Sequence, residues 1–213
     1  MRSLVIAVVA IVVLAVAGYV GWTYWSVQRA AVQWEGKVPE IVSEKIEKDG
    51  DVATIELSSR IDAPVADVFE AFRHPERTEK LVDQIKRSRV VEETPERKRV
   101  EFHLTTLGQL QVLTVDLSYD PKGREIGIKT VEGATEIEGT YRLEPSPDGR
   151  KTLVVYHARQ RNKLPLPVPA NVERSAIKEQ FASLMRAIKE DLKAQGKLQA
   201  AVEPAWGGRV EAA

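Results

Sequence analysis

From Val52 the chain alternates, with Ile55, Leu57, Ser59 and Ile61 on one side of an extended backbone and Thr54, Glu56, Ser58 and Arg60 on the other. Successive strand side chains point to opposite faces, so this register predicts a half-buried strand. Six more stretches of this kind cover roughly 85–93, 98–106, 109–119, 124–131, 135–144 and 151–161. Thr94-Pro95, Gly108, "DPKG" at 120–123, Gly133 and "PSPDG" at 145–149 divide them. Turn chemistry at that spacing predicts a hairpin-connected antiparallel sheet of about seven strands. Val100, Phe102 and Leu104 oppose Glu101, His103 and Thr105; Ile137, Gly139, Tyr141 and Leu143 oppose Glu136, Glu138, Thr140 and Arg142. One face of the sheet is therefore apolar and the other polar. Between 109 and 119 the parity slips, from Leu110 and Val112 to Leu113, Val115, Leu117 and Tyr119, which suggests a bulge that bends the sheet. In the last strand the parity is open, because Leu153 and Val155 compete with Val154 and Tyr156 for the inward side.

Helical periodicity appears twice beside this sheet. After Pro64, Val65, Val68, Phe69 and Phe72 share one face, while Asp67 and Glu70 lie off it. Proline suits the first turn, where its missing N–H costs nothing, and His74-Pro75 ends the helix. A second short helix is expected over about 76–82. After Pro169, Val172, Ile177, Phe181, Leu184, Met185, Ile188 and Leu192 form a stripe, with Lys, Glu and Arg on the other faces and Gly196 as the stop. That long amphipathic helix is the natural cover for the apolar face. Residues 29–50, broken by Gly36 and Pro39, read as a connector, and residues 197–213 as a disordered tail in which Trp206 is isolated.

The first 28 residues are of another kind. No charged side chain occurs between Arg2 and Arg29, and Leu4 to Val20 is apolar apart from Gly18 and Tyr19. As a helix, Leu4 to Trp25 would span roughly 33 Å, enough to cross a bilayer. Trp22, Tyr24 and Trp25 stand at the far end, where amphipathic rings favour the membrane interface. A retained single-pass anchor is the first expectation. A cleaved signal segment, supported by Arg2 and the small-residue triplet Ala15-Val16-Ala17, is the second, and a buried helix the third. The first two both export residues 30–213, to the periplasmic or extracellular side, either membrane-held or secreted.

Composition narrows the chemistry. Lys plus Arg and Asp plus Glu both total 31, which gives no electrostatic reason to expect a nucleic acid. With no Cys there is no disulfide, thiolate ligand or Cys nucleophile, and His74, His103 and His157 fall in no metal-binding spacing. No cofactor is implied. The basic runs "KRSR" at 86–89 and "RKR" at 97–99 could meet anionic headgroups, but they are interleaved with Glu92, Glu93, Glu96 and Glu101 and read better as a solvated outer face.

The order of one strand, two short helices, six antiparallel strands and a long C-terminal helix is an α+β helix-grip arrangement, and here the chain resembles the START-like superfamily. That superfamily includes polyketide cyclase-like, coenzyme-Q-binding and plant-allergen-like lipid-binding proteins. The resemblance spans about 52–195 and rests on "IDAPVADVFEAFRHPERTEKLVDQIKRSRVVEE", on "GTYRLEPSPDGRKTLVVYHARQ" and on the proline-rich lead into the last helix. It departs from many relatives in lacking a Trp or Pro within "EKLVDQIK".

The resemblance implies an apolar cavity between the curved sheet and the long helix. Its wall is expected from Phe69 and Phe72 of the short helix and from Phe102, Leu104, Leu117 and Tyr119 of the first strands. Ile137, Tyr141, Val155 and His157 of the later strands, with Phe181, Leu184 and Met185 of the last helix, complete it. For any of these, plain core is the competing reading. Leu164, Leu166 and Val168, alternating with Pro165, Pro167 and Pro169, are expected at the cavity mouth, in contact with ligand or bilayer, or as a stiff connector.

The function expected is non-catalytic binding or transfer of a lipid, isoprenoid or quinone at a membrane. A cyclase- or hydrolase-type enzyme is the alternative, with His103, His157, Tyr141 and Glu136 as candidates and His157 beside Tyr141 as its seed. An envelope interaction module is a third reading.

Overall fold

A computed structural model describes residues 40–82, 84–106, 109–163 and 169–198. The predicted anchor with Trp22, Tyr24 and Trp25, the segment carrying Leu164, Leu166 and Val168, and the tail with Trp206 lie outside the described residues. Among the described residues no helix is long and apolar enough to cross a membrane.

Eight strands, not seven, make one antiparallel sheet in the order β1-β2-β8-β7-β6-β5-β4-β3. They are β1 Ser43–Asp49, β2 Val52–Ile61, β3 Ile85–Glu93, β4 Arg97–Thr106, β5 Gln109–Tyr119, β6 Glu125–Glu132, β7 Thr135–Pro145 and β8 Thr152–Asn162. Helix α1, Val65–Phe72, and a 3₁₀ turn, Pro75–Lys80, fill the crossover from β2 to β3. Helix α2, Ala170–Ala194, closes the apolar face. It ends where Gly196 takes φ +68° and Lys197 N–H reaches back to the Leu192 carbonyl, 2.9 Å away.

The extra strand lies inside the span expected to be a connector. β1, "SEKIEKD", keeps only Ile46 against the core. Its attachment to α2 is electrostatic. Glu40 meets Arg186 (3.4 Å), Glu44 meets Lys178 (2.6 Å), and Lys48 donates to Glu173. Glu44 and Lys48 are four apart in β1 and so on one strand face, Glu40 lies just before the strand, and Lys178 and Glu173 are both buried in α2.

The core follows the predicted inward set. Ile55, Leu57 and Ile61 of β2, Val115 of β5 and Leu143 of β7 are almost completely buried, against Ile177, Phe181, Met185 and Leu192 of α2. The expected bulge falls in a different strand. β5 keeps one register against β4 throughout, so Leu110 and Val112 simply face outward and are exposed. The irregularity is opposite, on β6, where Thr114 pairs with Glu132 and Val115 with Thr130, leaving Val131 extra. On the outer face Asp116 grips Arg99 (2.7 Å) and Arg97 (3.3 Å), which ties up the basic run in β4. The Arg99 guanidinium hydrogen-bonded to Asp116 holds that carboxyl below its ordinary range.

In the β7–β8 ladder Gly139 stands opposite Ala158. A Cβ on Gly139 would collide with the His157 carbonyl oxygen and stand 2.5 Å from Ala158 Cβ. Gly139→Ala is therefore expected to cost about 1–3 kcal/mol by overpacking, seen as a lower denaturant midpoint at unchanged slope.

Candidate functional site

Between the concave sheet face and α2 lies a cavity of about 350 Å³, within the range of about 300–1,000 Å³ usual for small-molecule sites. A column of rings forms one wall. Phe72 of α1 lies 5.1 Å from Tyr141, Tyr141 stacks on Tyr156 at 4.5 Å, and Tyr156 lies 6.0 Å from Phe181 of α2. The column exists because Tyr141 and Tyr156 are directly opposed across β7 and β8, and each helix contributes one Phe to an end. Leu104, Ile128, Ile137 and Leu184 line the aliphatic part.

Eight of the thirteen residues expected in the wall are there: Phe72, Phe102, Leu104, Leu117, Ile137, Tyr141, Phe181 and Leu184. Five are elsewhere. Phe69, on the same broad face of α1, packs instead edge-on to Tyr119 at 6.0 Å and against Gly123. Tyr119 is core, its hydroxyl donating to the Phe72 carbonyl at 3.2 Å, and Met185 is fully enclosed. Val155 and His157 are corrections of parity. Thr152, Val154, Tyr156, Ala158 and Gln160 take the inward side of β8, which puts Val155 and His157 on the outer face. His157 stands there 3.9 Å from Glu56, on the opposite side of the sheet from Tyr141, so the two cannot pair. His103 bonds Glu101 (3.0 Å) and Glu136 meets Lys163 (2.6 Å), both outside the cavity.

Sequence reasoning missed the polar part of the wall, which includes Gln84, Gln160, Glu179 and Ser183. Gln160 was readable once the parity of β8 was fixed, since it sits two residues beyond Ala158. Glu179 and Ser183 are four apart on the flank of the α2 stripe, where a polar pair normally means solvent. Three donors converge on Glu179 Oε1: Ser183 hydroxyl (3.0 Å), Arg186 guanidinium (3.2 Å) and Gln84 amide (3.3 Å).

A second hollow, about 330 Å³, lies between β1 and the start of α2 and is lined by the Glu44, Lys48, Glu173 and Lys178 charges already described. Among the described residues no three His, Cys, Asp or Glu side chains are grouped to hold a metal ion.

This arrangement, a curved antiparallel sheet gripping one long helix around a cavity, defines the START-like helix-grip class. A family model described as polyketide cyclase / dehydrase and lipid transport matches residues 52–196, and the chain belongs to that family. Solved structures of the same fold include the Zhui aromatase/cyclase from Streptomyces sp. R1128 (16% identity, TM-score 0.60, 71% of this chain and 98% of that one). A START superfamily protein from Mycobacterium smegmatis is similar (17% identity, TM-score 0.56, 67% and 98% covered). So is a STAR-related lipid transfer protein from Xanthomonas axonopodis (13% identity, TM-score 0.54, 70% and 98% covered). No curated protein sequence matches the chain significantly.

Burial pushes the hydroxyls of Tyr141, Tyr156 and Tyr119 upward, strongly in each case, with the neighbouring Tyr156 adding to the effect on Tyr141. The Arg73 guanidinium, 5.4 Å from the Tyr119 ring centre, offsets only part of it. The folded chain thus keeps three protons that the unfolded chain releases above its ordinary tyrosine value of about 10. Stability is full below that value and falls as the pH rises past it. Denaturant midpoints should therefore begin to drop near about pH 10 and go on dropping as the pH is raised further, and phenolate absorbance from these three residues should appear only with unfolding.

Proposed function

We propose that this chain binds a water-insoluble molecule of the lipid, isoprenoid or quinone class without transforming it, and exchanges it with a membrane to which residues 1–28 tether the domain. The observation that carries this reading is the cavity of about 350 Å³ walled mainly by aromatic and aliphatic side chains. The family's description includes lipid transport, and one relative of the same fold is called a lipid transfer protein. The apolar run from Leu4 to Val20 supports the tether, and Arg2 on its short side supports a domain outside the cytoplasm.

The energetics favour exchange over capture. Each buried CH₂ gains about 0.8 kcal/mol on leaving water, but a chain already in a bilayer has made that gain. Transfer between membrane and cavity then runs near balance, and a tether keeps the two homes adjacent.

Catalysis has weaker support. Family and fold relatives include cyclases, yet His103, His157 and Glu136 all lie outside the cavity. Tyr141 and Tyr156, which are inside, are held neutral by burial and make poor general bases.

Native mass spectrometry of the purified whole chain, followed by organic extraction, tests the proposal. One equivalent of a co-purified hydrophobic molecule is expected, and Leu184→Trp, which fills the cavity from α2, should reduce its retention by at least about tenfold, or 1.4 kcal/mol. A chain that is empty and takes up no added lipid would overturn the carrier reading.

A further inference from the structure

Six large hydrophobic side chains are exposed among the described residues, and three of them, Leu110 (65%), Val112 (47%) and Val131 (49%), stand on two adjacent strands. Apolar residues exposed singly are ordinary, whereas a group of them marks a contact surface. Leu110 and Val112 are two apart in β5 and so share its outer face, and Val131 is the extra residue of the β6 bulge beside Thr114. The chain here also lacks charge. No Asp, Glu, Lys or Arg occurs from Phe102 to Val115, the longest such run after Arg29.

Register carries this patch to two cations. Val112 pairs with His103 of β4, and His103 with Arg87 of β3; two residues along, Thr114 pairs with Glu101, and Glu101 with Arg89. Directly opposed residues share a face, so Arg87 and Arg89 stand on the same outer surface as Leu110 and Val112. Ser88, between them, points the other way, buried and donating to the Pro75 carbonyl at 2.9 Å. Asp116 holds Arg97 and Arg99 of β4. Arg87 and Arg89 are exposed and have no ion-pair or hydrogen-bond partner among the described residues. Two acids border the surface: Glu101, bonded to His103 at 3.0 Å, and exposed Glu132 of β6, opposite Thr114.

Exposed aliphatic groups beside unpaired guanidiniums match a bilayer with anionic headgroups. The aliphatic groups gain by leaving water, and each cation near such a surface strengthens binding about fivefold. We propose that the outer face of β3, β4 and β5 docks on an anionic lipid bilayer, with Leu110 and Val112 entering the headgroup layer and Arg87 and Arg89 meeting its phosphates. On the inner face of the same strands Leu104 and Leu113 line the cavity, so docking sets the cavity one sheet thickness from lipid. The tether allows this pose. The patch lies at the end of the sheet where β1 finishes, about 20 Å beyond Ser43, and residues 29–39 can span up to about 40 Å.

The inference goes beyond the carrier reading, since it assigns a surface and not a ligand, and its test needs no ligand. The chain has no Cys, so one introduced thiol takes a label at one position. Leu110→Cys in the whole chain, carrying an environment-sensitive fluorophore, is reconstituted into phosphatidylcholine vesicles with or without about 30% phosphatidylserine. With phosphatidylserine the label should shift to the blue and brighten at least about twofold, as at an acyl boundary. The same label on Lys122→Cys, in the turn at the other end of β5, should stay water-like. Replacing both arginines, Arg87→Gln and Arg89→Gln, should lower the ratio of docked to free domain at least about tenfold. All four positions are exposed, so the variants keep the fold. A label at 110 that stays water-like in both vesicles, an equal shift at 122, equal docking without phosphatidylserine, or docking unchanged by the arginine substitutions would overturn the surface and leave the cavity standing. A docked label on a chain whose cavity takes up no lipid would overturn the carrier reading and support the surface.

Discussion

The concave face of the sheet has only one long helix, α2, to close it, and most of the architecture follows from that constraint. Twisted antiparallel strands curl as they accumulate, so eight of them form a trough instead of a flat face. One helix is about 10–12 Å across with its side chains, which is too narrow to fill such a trough from edge to edge. α2 fills one side with Ile177, Phe181, Met185 and Leu192, and the 3₁₀ turn and α1 fill part of the other. What remains open between Phe181 and Leu184 on the helix and Leu104, Ile128 and Ile137 on the sheet is the cavity.

The same trough leaves two sheet edges, β1 and β3, that could recruit another chain. Both are charged. β1 carries Glu44, Lys45, Glu47, Lys48 and Asp49 in seven residues, and β3 carries Lys86, Arg87, Arg89, Glu92 and Glu93 with two register breaks. β1 turns its charges to a second use, fastening the edge to α2 through Lys178 and Glu173. A fastening of this sort is specific more than strong, since Glu44 is 43% exposed and water screens it. It extends to Glu40, just before the strand, whose carboxylate meets Arg186, the guanidinium that also meets Glu179.

The six strands from β3 to β8 were legible because each buries one face and solvates the other, so alternation and turn residues marked them within a residue or two. β1 was not legible for the opposite reason. Its inward positions at Glu44 and Lys48 meet charges on α2 instead of apolar core, and no period-two hydrophobic signal can arise from them. β8 was ambiguous because its outward Leu153 and Val155 are as apolar as its inward Val154, and a contact set the parity: Thr152 hydroxyl donates to the Ala63 carbonyl, 2.7 Å away in the core. Within the site, large apolar residues were found and polar ones were not. Hydrophobicity reports burial, but it does not say whether Phe69 buries against Tyr119 or against a cavity, nor that Glu179 turns inward from the flank of its helix.

A hollow of this size also constrains what stabilises the domain. The hollow leaves the side chains that line it without contact partners on one side, in a fold whose net stability is about 5–15 kcal/mol. It stays open because its walls are braced: the Phe72–Tyr141–Tyr156–Phe181 column holds both helices at fixed distance from the sheet. For an apolar molecule that came from a bilayer the gain from leaving water would cancel, and the difference between a filled and an unfilled hollow would not, so shape fit would decide which molecule a braced hollow of this kind takes.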